Sequence, residues 1–234
     1  MPTDQPLHWD SSGVRIRTSS RRGSEAYLRP TRSSKKLRSD EIRAALEVLA
    51  LNGVKSVFTS AIGQPEQSFF MSLGFEVHEE LLLLSNDLSM HVPKPGRATR
   101  RALRSDRAHI LDIDTSAFSR FWQFDTAGLS EAIKATPSSR VRVNADLPPQ
   151  GFAITGRAGR QGFLQRLAVH PMHQGGGLGR SLVADALSWL QKRRATDVLV
   201  NTQLGNLTAL GLYESMGFTR QSKGLAVLRW DVSE

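Results

Sequence analysis

The residues most able to do chemistry lie in Gln174-Gly175-Gly176-Gly177-Leu178-Gly179-Arg180. Glycines leave the backbone without Cβ atoms, so its N–H groups can approach a phosphate oxygen closely. If a helix begins near Leu178, the free N–H groups of its first turn point at that oxygen, and the helix dipole favours its negative charge. Arg180 adds a cation at the same place. The structural alternative is a tight strand-to-helix turn with no ligand. A nucleotide-hydrolase loop requires Lys-Ser/Thr where Arg180-Ser181 stands. A dinucleotide fingerprint requires an acidic residue after a second strand, whereas Asp197 precedes the next strand.

The flanking segments are those that would position such a cradle. Phe163 to Val169 is an apolar run that reads as a buried strand, and Leu178, Leu182, Val183, Ala186 and Leu190 recur at helical spacing. Asp197 to Thr202 reads as a further strand. Asn206 then suits a helix N-cap, Gly217 a helix stop, and Phe218 the start of the last strand. Tyr213 sits on that last helix. A phenol has a reference pKa of about 10, above the roughly 8.5 of a thiol, so it is protonated at neutral pH and able to donate to a thiolate. Its bland role is a helix tyrosine packed on the core.

Taken in order, Gln-x-x-Gly-x-Gly at 174–179 and Asn-x-x-Ala-x-x-Leu-Tyr-x-x-x-Gly-Phe at 206–218 resemble the GNAT superfamily of acetyl-CoA-dependent N-acetyltransferases. The resemblance covers about residues 97–234. It implies an α/β (α+β) fold with a mixed central sheet flanked by helices, and acetyl-CoA as co-substrate. It implies that Leu167, Ala168 and Val169 pair with the pantetheine. Gln174, Gly175, Gly176, Gly177, Leu178, Gly179 and Arg180 would cradle the pyrophosphate, and Asn206 would hydrogen-bond the cofactor. One backbone N–H would polarise the acetyl carbonyl. Tyr213 would be the general acid. The general base is the gap in the pattern. Members acting on ribosomal-protein N-termini carry a Glu twelve residues before the Tyr, and that position here is Asn201, which cannot take a proton. Asp125, Glu131 and Glu214 are carboxylates whose placement the sequence leaves open. His170 and His173 flank the glycine stretch and suit the turn or the phosphates better than the proton.

Composition bounds the remaining possibilities. The chain has 234 residues and 39% hydrophobic residues, enough for one large domain or two small ones with a core. It has no cysteine, so disulfides, thiolate metal sites and cysteine nucleophiles are excluded, and no metal centre is expected. No apolar run approaches the ~20 residues that span a bilayer, and Met1 to Pro6 lacks a signal-peptide layout. The expectation is a cytoplasmic protein with no membrane partner. The net charge of +9 is uneven. Residues 1–38 carry nine Lys/Arg against three acids, and residues 94–107 carry six against one. Basic stretches could meet nucleic acid, but few aromatics interleave with them, so solvated segments are the favoured reading.

An internal repeat is expected as well. At an offset of 143 positions, Gly74-Phe75 matches Gly217-Phe218, Ser72 meets Ser215, Phe70 meets Tyr213, Val57 meets Val200 and Thr59 meets Thr202. The first copy looks truncated, with little chain before Ser39 beyond a possible strand at Val14–Arg17. It also lacks the chemistry: Ser34 and Lys36 stand for Gly177 and Gly179, Gly63 for Asn206, and Phe70 for Tyr213. The expected organisation is a partial, degenerate unit with a basic arm over 1–90 and a complete acetyltransferase domain over 97–234. Within the latter, helices are expected near 108–117 and 127–135, with Phe118, Phe121, Trp122 and Phe124 among them, and a hairpin through Pro148-Pro149. The leading reading is transfer of an acetyl group to a primary amine of a small molecule or peptide. A non-catalytic acyl-CoA-binding module and a nucleic-acid-associated protein are the rivals. The acceptor and the oligomeric state are not legible.

Overall fold

The structure is a computed structural model and describes residues 8–11, 14–18, 24–30, 37–89 and 92–232. The chain folds as two compact units. The first holds residues 1–83, 203–205 and 222–234, and the second holds 84–202 and 206–221.

In the first unit, β1 (His8–Ser11), β2 (Val14–Thr18) and β3 (Glu25–Pro30) form an antiparallel meander. Helix α1 (Ser39–Leu51) then carries the chain to β4 (Ser56–Thr59), which lies parallel to β3. A parallel pair needs such a crossover. α2 (Gln64–Met71) leads into β5 (Glu76–Asn86). Strand β12 (Leu225–Asp231), from the far end of the chain, pairs antiparallel with both β4 and β5. The strand order is β1-β2-β3-β4-β12-β5.

The core follows from helix periodicity. Ile42, Ala45, Leu46 and Leu49 of α1 are buried with Val57, Phe70 and Leu228. Three strands precede α1 where the sequence suggests one. In β2 and β3 the signal is a two-residue alternation, Val14/Ile16 and Ala26/Leu28, all buried, within a segment rich in Ser, Arg and Gly. Ser34 and Lys36 lie outside the described residues.

Because β12 has its two sheet neighbours, β4 and β5, in the first unit, a 97–234 fragment would carry a strand with both edges bare. Unpaired strand edges template association. Size-exclusion chromatography of that fragment is expected to show aggregation, with a thermal transition well below that of the full chain.

In the second unit, β6 (Thr99–Arg101), β7 (Ser138–Asn144), β8 (Gly151–Ala158) and β9 (Gln161–Val169) pair antiparallel in sequence order. Helix α5 (Leu178–Lys192) crosses over to β10 (Asp197–Gln203), which runs parallel to β9. A mixed sheet flanked by helices results. Helices α3 (Arg107–Ala117) and α4 (Thr126–Lys134) supply Ile110, Ile113 and Leu129 to a core with Phe152, Ile154 and Ala168. α5 packs close to the sheet: a Cβ on Gly162 of β9 would stand 2.7 Å from Leu190 Cδ1. Helix α6 (Leu207–Ser215) is followed by β11 (Thr219–Arg220), which pairs with Leu84 and Ser85 at the end of β5. The last strand expected from Phe218 onward is therefore two strands, β11 and β12. Phe118 to Phe124 lie between α3 and α4 rather than on either helix.

The register of β8 on β9 breaks once. Ile154 pairs with Arg166 and Thr155 with Leu164, so Gln165 has no partner across the ladder. This extra residue is a β-bulge, which reverses the alternation of faces along β9. Gly162 consequently faces α5, while Arg166, four residues on, reaches Asp114 of α3.

Candidate active site

The glycine stretch leaves β9 through a short 3-10 turn at Pro171–His173 and enters α5. Gly175 and Gly177 adopt positive φ of 78° and 76°, the left-handed region that L side chains rarely occupy. Their Cβ positions meet nothing within 4 Å. Residues 174–177 are exposed, and Leu178 is buried and anchors the first turn of α5. Gly177 caps the helix and offers no side-chain acceptor. Intrahelical bonding starts with Ser181 N–H, which donates to the Gly177 carbonyl at 3.1 Å. The amides of Leu178, Gly179 and Arg180 therefore belong to the turn that has no intrahelical partners. Open space, bare amides and a helix N-terminus fit an anionic phosphate.

The other residues of the stretch have structural tasks too. Gln174 Nε2 donates to the Val169 carbonyl at 3.0 Å, tying the turn back to β9. Arg180 Nη1 donates to Ser215 Oγ at 2.9 Å, at the C-terminal end of α6, where a cation is favourable. A Cβ on Gly179 would stand 3.2 Å from Leu212 Cδ2, so α5 and α6 approach closely there. Asn206 Oδ1 accepts from Ala209 N–H at 3.1 Å and caps α6, as its residue type suggests. Leu167 and Val169 are half-buried and Ala168 is buried, next to the bulge.

Tyr213 is 5% exposed, and its ring lies 5.6 Å from that of Phe218. Burial pushes its phenol above the ordinary value, opposed by the positive charge of Arg166. The hydroxyl has no hydrogen-bond partner among the described residues.

Arg166 carries no motif signature in the sequence, yet it is central here. It is 9% exposed on β9, and its Nε and Nη2 donate to the two carboxylate oxygens of Asp114 at 2.8 and 2.9 Å. Nη2 also donates to the Trp122 carbonyl at 2.6 Å. The guanidinium carbon lies 3.4 Å from the Phe118 ring centroid and 4.1 Å from that of Phe124. Asp114 is fully buried and also accepts from Phe124 N–H at 2.7 Å. Burial pulls the Arg166 guanidinium below its ordinary value, and its hydrogen bond to Asp114 opposes that shift. A signal was present: an Arg within a buried apolar run must find a partner, and Asp114 is the one acid on the apolar side of α3.

Asn201 is exposed on β10. Asp125 caps α4 by accepting from Gly128 N–H at 2.6 Å. Glu214 pairs with Arg220 at 2.8 Å on the surface. Glu131 is half-buried on α4. His170 Nδ1 accepts from Met172 N–H at 3.3 Å, within the turn. Among the described residues there is no cluster of three or more potential metal ligands, and no helix long and apolar enough to cross a membrane.

The chain is similar to several known proteins. A mycothiol acetyltransferase of Streptosporangium roseum is 42% identical over 66 residues, which are 28% of this chain and 17% of that protein. The N-alpha-acetyltransferase 30 of Saccharomyces cerevisiae is 33% identical over 63 residues, 27% of this chain and 36% of that one. The chain thus spans well under half the length of these relatives. Among solved structures, a tandem GNAT protein from the clavulanic acid biosynthesis pathway superposes with a TM-score of 0.68 at 12% identity, covering 94% of this chain and 79% of that one. A GCN5-related N-acetyltransferase from Kribbella flavida gives 0.62 at 14% identity, covering 98% and 90%. These two likenesses speak to fold alone. Residues 110–218, from the core of α3 through the glycine turn to the end of α6, match the acetyltransferase (GNAT) family.

Proposed function

We propose that the protein transfers an acetyl group from acetyl-CoA to a primary amine. The observation that carries this reading is the exposed glycine turn: two positive-φ glycines lead into a helix whose first-turn amides have neither a side-chain cap nor intrahelical partners. Gly175 to Arg180 would bind the pyrophosphate through those amides. Arg180, anchored on Ser215, retains further N–H donors for the same charge. Leu167 to Val169, beside the bulge at Gln165, would align the thioester so that one N–H meets the acetyl oxygen.

In the reaction, the amine nitrogen bonds to the thioester carbon as the C–S bond breaks. Tyr213 gives its proton to the departing thiolate and is reprotonated from solvent, which takes up the proton lost from the amine. Holding both partners in line supplies several kcal/mol without any covalent enzyme intermediate. The exposed Asn201 gives no base, so the acceptor enters as the neutral amine or loses its proton to water. That feature also suits the second reading, a non-catalytic acyl-CoA-binding module.

The chain also carries, on this proposal, two copies of one unit. Around β3, α1, β4 and α2 the element order repeats that of β9, α5, β10 and α6, and each copy has a parallel pair joined by a helix. Gly74 and Gly217, 143 positions apart, both end their helices at positive φ, 89° and 83°. Only the second copy has the glycine turn and the tyrosine. Calorimetric titration should therefore give one acetyl-CoA per chain, and a turnover screen across monoamines, polyamines, aminoglycosides and peptides should find an acetylated product. Two bound molecules per chain would overturn the single-site reading. Binding without any turnover would favour the binding module.

A further inference from the structure

The arginines of the basic stretch at 94–107 differ in how well they are paired. Arg100 is held by Asp106 in a bidentate pair, with Nη1 and Nη2 donating at 2.6 and 2.9 Å. Arg97 is not held in this way. Among the described residues its ion pair is with Asp146, Nη2 to Oδ2 at 3.7 Å, and both side chains are partly open to solvent. That carboxylate already accepts from Asn144 Nδ2 at 2.8 Å. An exposed pair at such a distance gives little stability, and the Arg97 guanidinium keeps N–H donors to spare.

What is fixed is the backbone that carries it. Ser181, 2% exposed near the start of α5, accepts from Arg97 N–H at 3.0 Å and itself donates to the Gly177 carbonyl at 3.1 Å. One buried hydroxyl thus ties the segment entering β6 to the residue that caps α5. The tie brings the guanidinium to the glycine turn: a Cβ on Gly176 would stand 3.6 Å from Arg97 Nη1. Gly176, unlike Gly175 and Gly177, does not take a positive φ. Its missing side chain therefore serves space rather than conformation, and the space opens beside this cation.

We propose that Arg97 is a second cation of the donor site and binds the pyrophosphate of acetyl-CoA together with the glycine turn, with Ser181 as its positioning residue. This rests on the donor reading above. A guanidinium fork donates two parallel, charge-assisted bonds to a phosphate. Arg180 is anchored on α6 through Ser215, whereas Arg97 reaches the turn from the segment before β6. Because the Arg97 backbone is already tied, binding orders only its side chain, which lowers the entropic cost. Asp146 is the weak partner that the phosphate displaces.

CoA and dephospho-CoA, which lacks the 3′-phosphate, are the probes, titrated calorimetrically into the full chain. Arg97→Gln should weaken both alike, about tenfold or more, with an unchanged thermal transition. Arg97→Lys should recover part of that loss, since the charge remains and the fork does not. Ser181→Ala should weaken CoA binding in the wild-type background and add little in Arg97→Gln, because the two act through one contact. If Ser181→Ala fails to fold, the Arg97 variants carry the test. An Arg97→Gln protein that binds CoA within about twofold of wild type overturns the proposal. So does a loss confined to CoA, which moves Arg97 to the 3′-phosphate. An equal loss in Asp146→Asn overturns it too, because the pair with Asp146 would then be what matters. A wild-type chain that binds neither probe sinks the donor reading and this proposal with it, whereas tight CoA binding indifferent to Arg97 sinks this proposal alone. CoA binding that depends on Arg97 without acetyl transfer to any amine supports the second cation and sinks the transferase reading.

Discussion

Gly177→Glu is expected to abolish acetyl-CoA binding, with affinity falling on the order of 10²-fold or more. Two effects add. Gly177 sits at φ 76°, where any L side chain other than Asn or Asp is strained by roughly 1–2 kcal/mol. The new carboxylate would also stand at the N-terminus of α5 and repel the pyrophosphate that the bare amides attract. Gly177→Asn separates the two, because Asn tolerates the left-handed region and brings no charge. It should keep most of the affinity, and its thermal transition should shift little. Calorimetry on both variants checks the prediction. A folded Gly177→Glu protein that binds acetyl-CoA normally would move the donor site elsewhere.

Tyr213→Phe is expected to lower kcat about 10²-fold with little change in acetyl-CoA affinity, as removal of a general acid does. The variant should be at least as stable as wild type, because the tyrosine is buried and its hydroxyl has no hydrogen-bond partner among the described residues. Burial raises the phenol above its ordinary 10.0. The protonated, catalytically competent form therefore persists across neutral and mildly alkaline pH, so kcat should show no loss of this acid below about pH 10. The same shift links to stability. A folded-state value above the unfolded one contributes stability that is fully present below the unfolded value and is lost as pH rises through the folded one. Wild-type kcat in Tyr213→Phe, measured where chemistry limits the rate, would return Tyr213 to a packing role.

Much of the candidate site's local geometry was legible because it depends on local backbone demands. Gly217 stops α6 at positive φ, Asn206 caps it, and Gly175 and Gly177 take conformations that need glycine. Such requirements are written in single residues and their spacing. The apolar faces of α1 and α5 were equally plain, since Ile42, Leu46, Leu182 and Leu190 recur at the helical period whatever lies against them.

What the sequence could not determine were the pairings between distant residues. Composition hid β1 and β3; in β3 the buried alternation, Ala26 and Leu28, is only two residues long. Nothing in residues 225–231 says that this strand pairs with β4 and β5 rather than with a neighbour in sequence, because strand partners are chosen by the packing of the whole sheet. The bulge at Gln165 is likewise a property of two strands together, and it decides that Arg166 turns toward Asp114. The glycine turn, the helix caps and the tyrosine were thus set by the sequence itself. The clamp that holds the aromatic segment came only with the tertiary structure, because a buried charge is satisfied by whichever partner the fold delivers, and so did the exposed anchoring of Arg180 on Ser215, which needs α5 and α6 side by side.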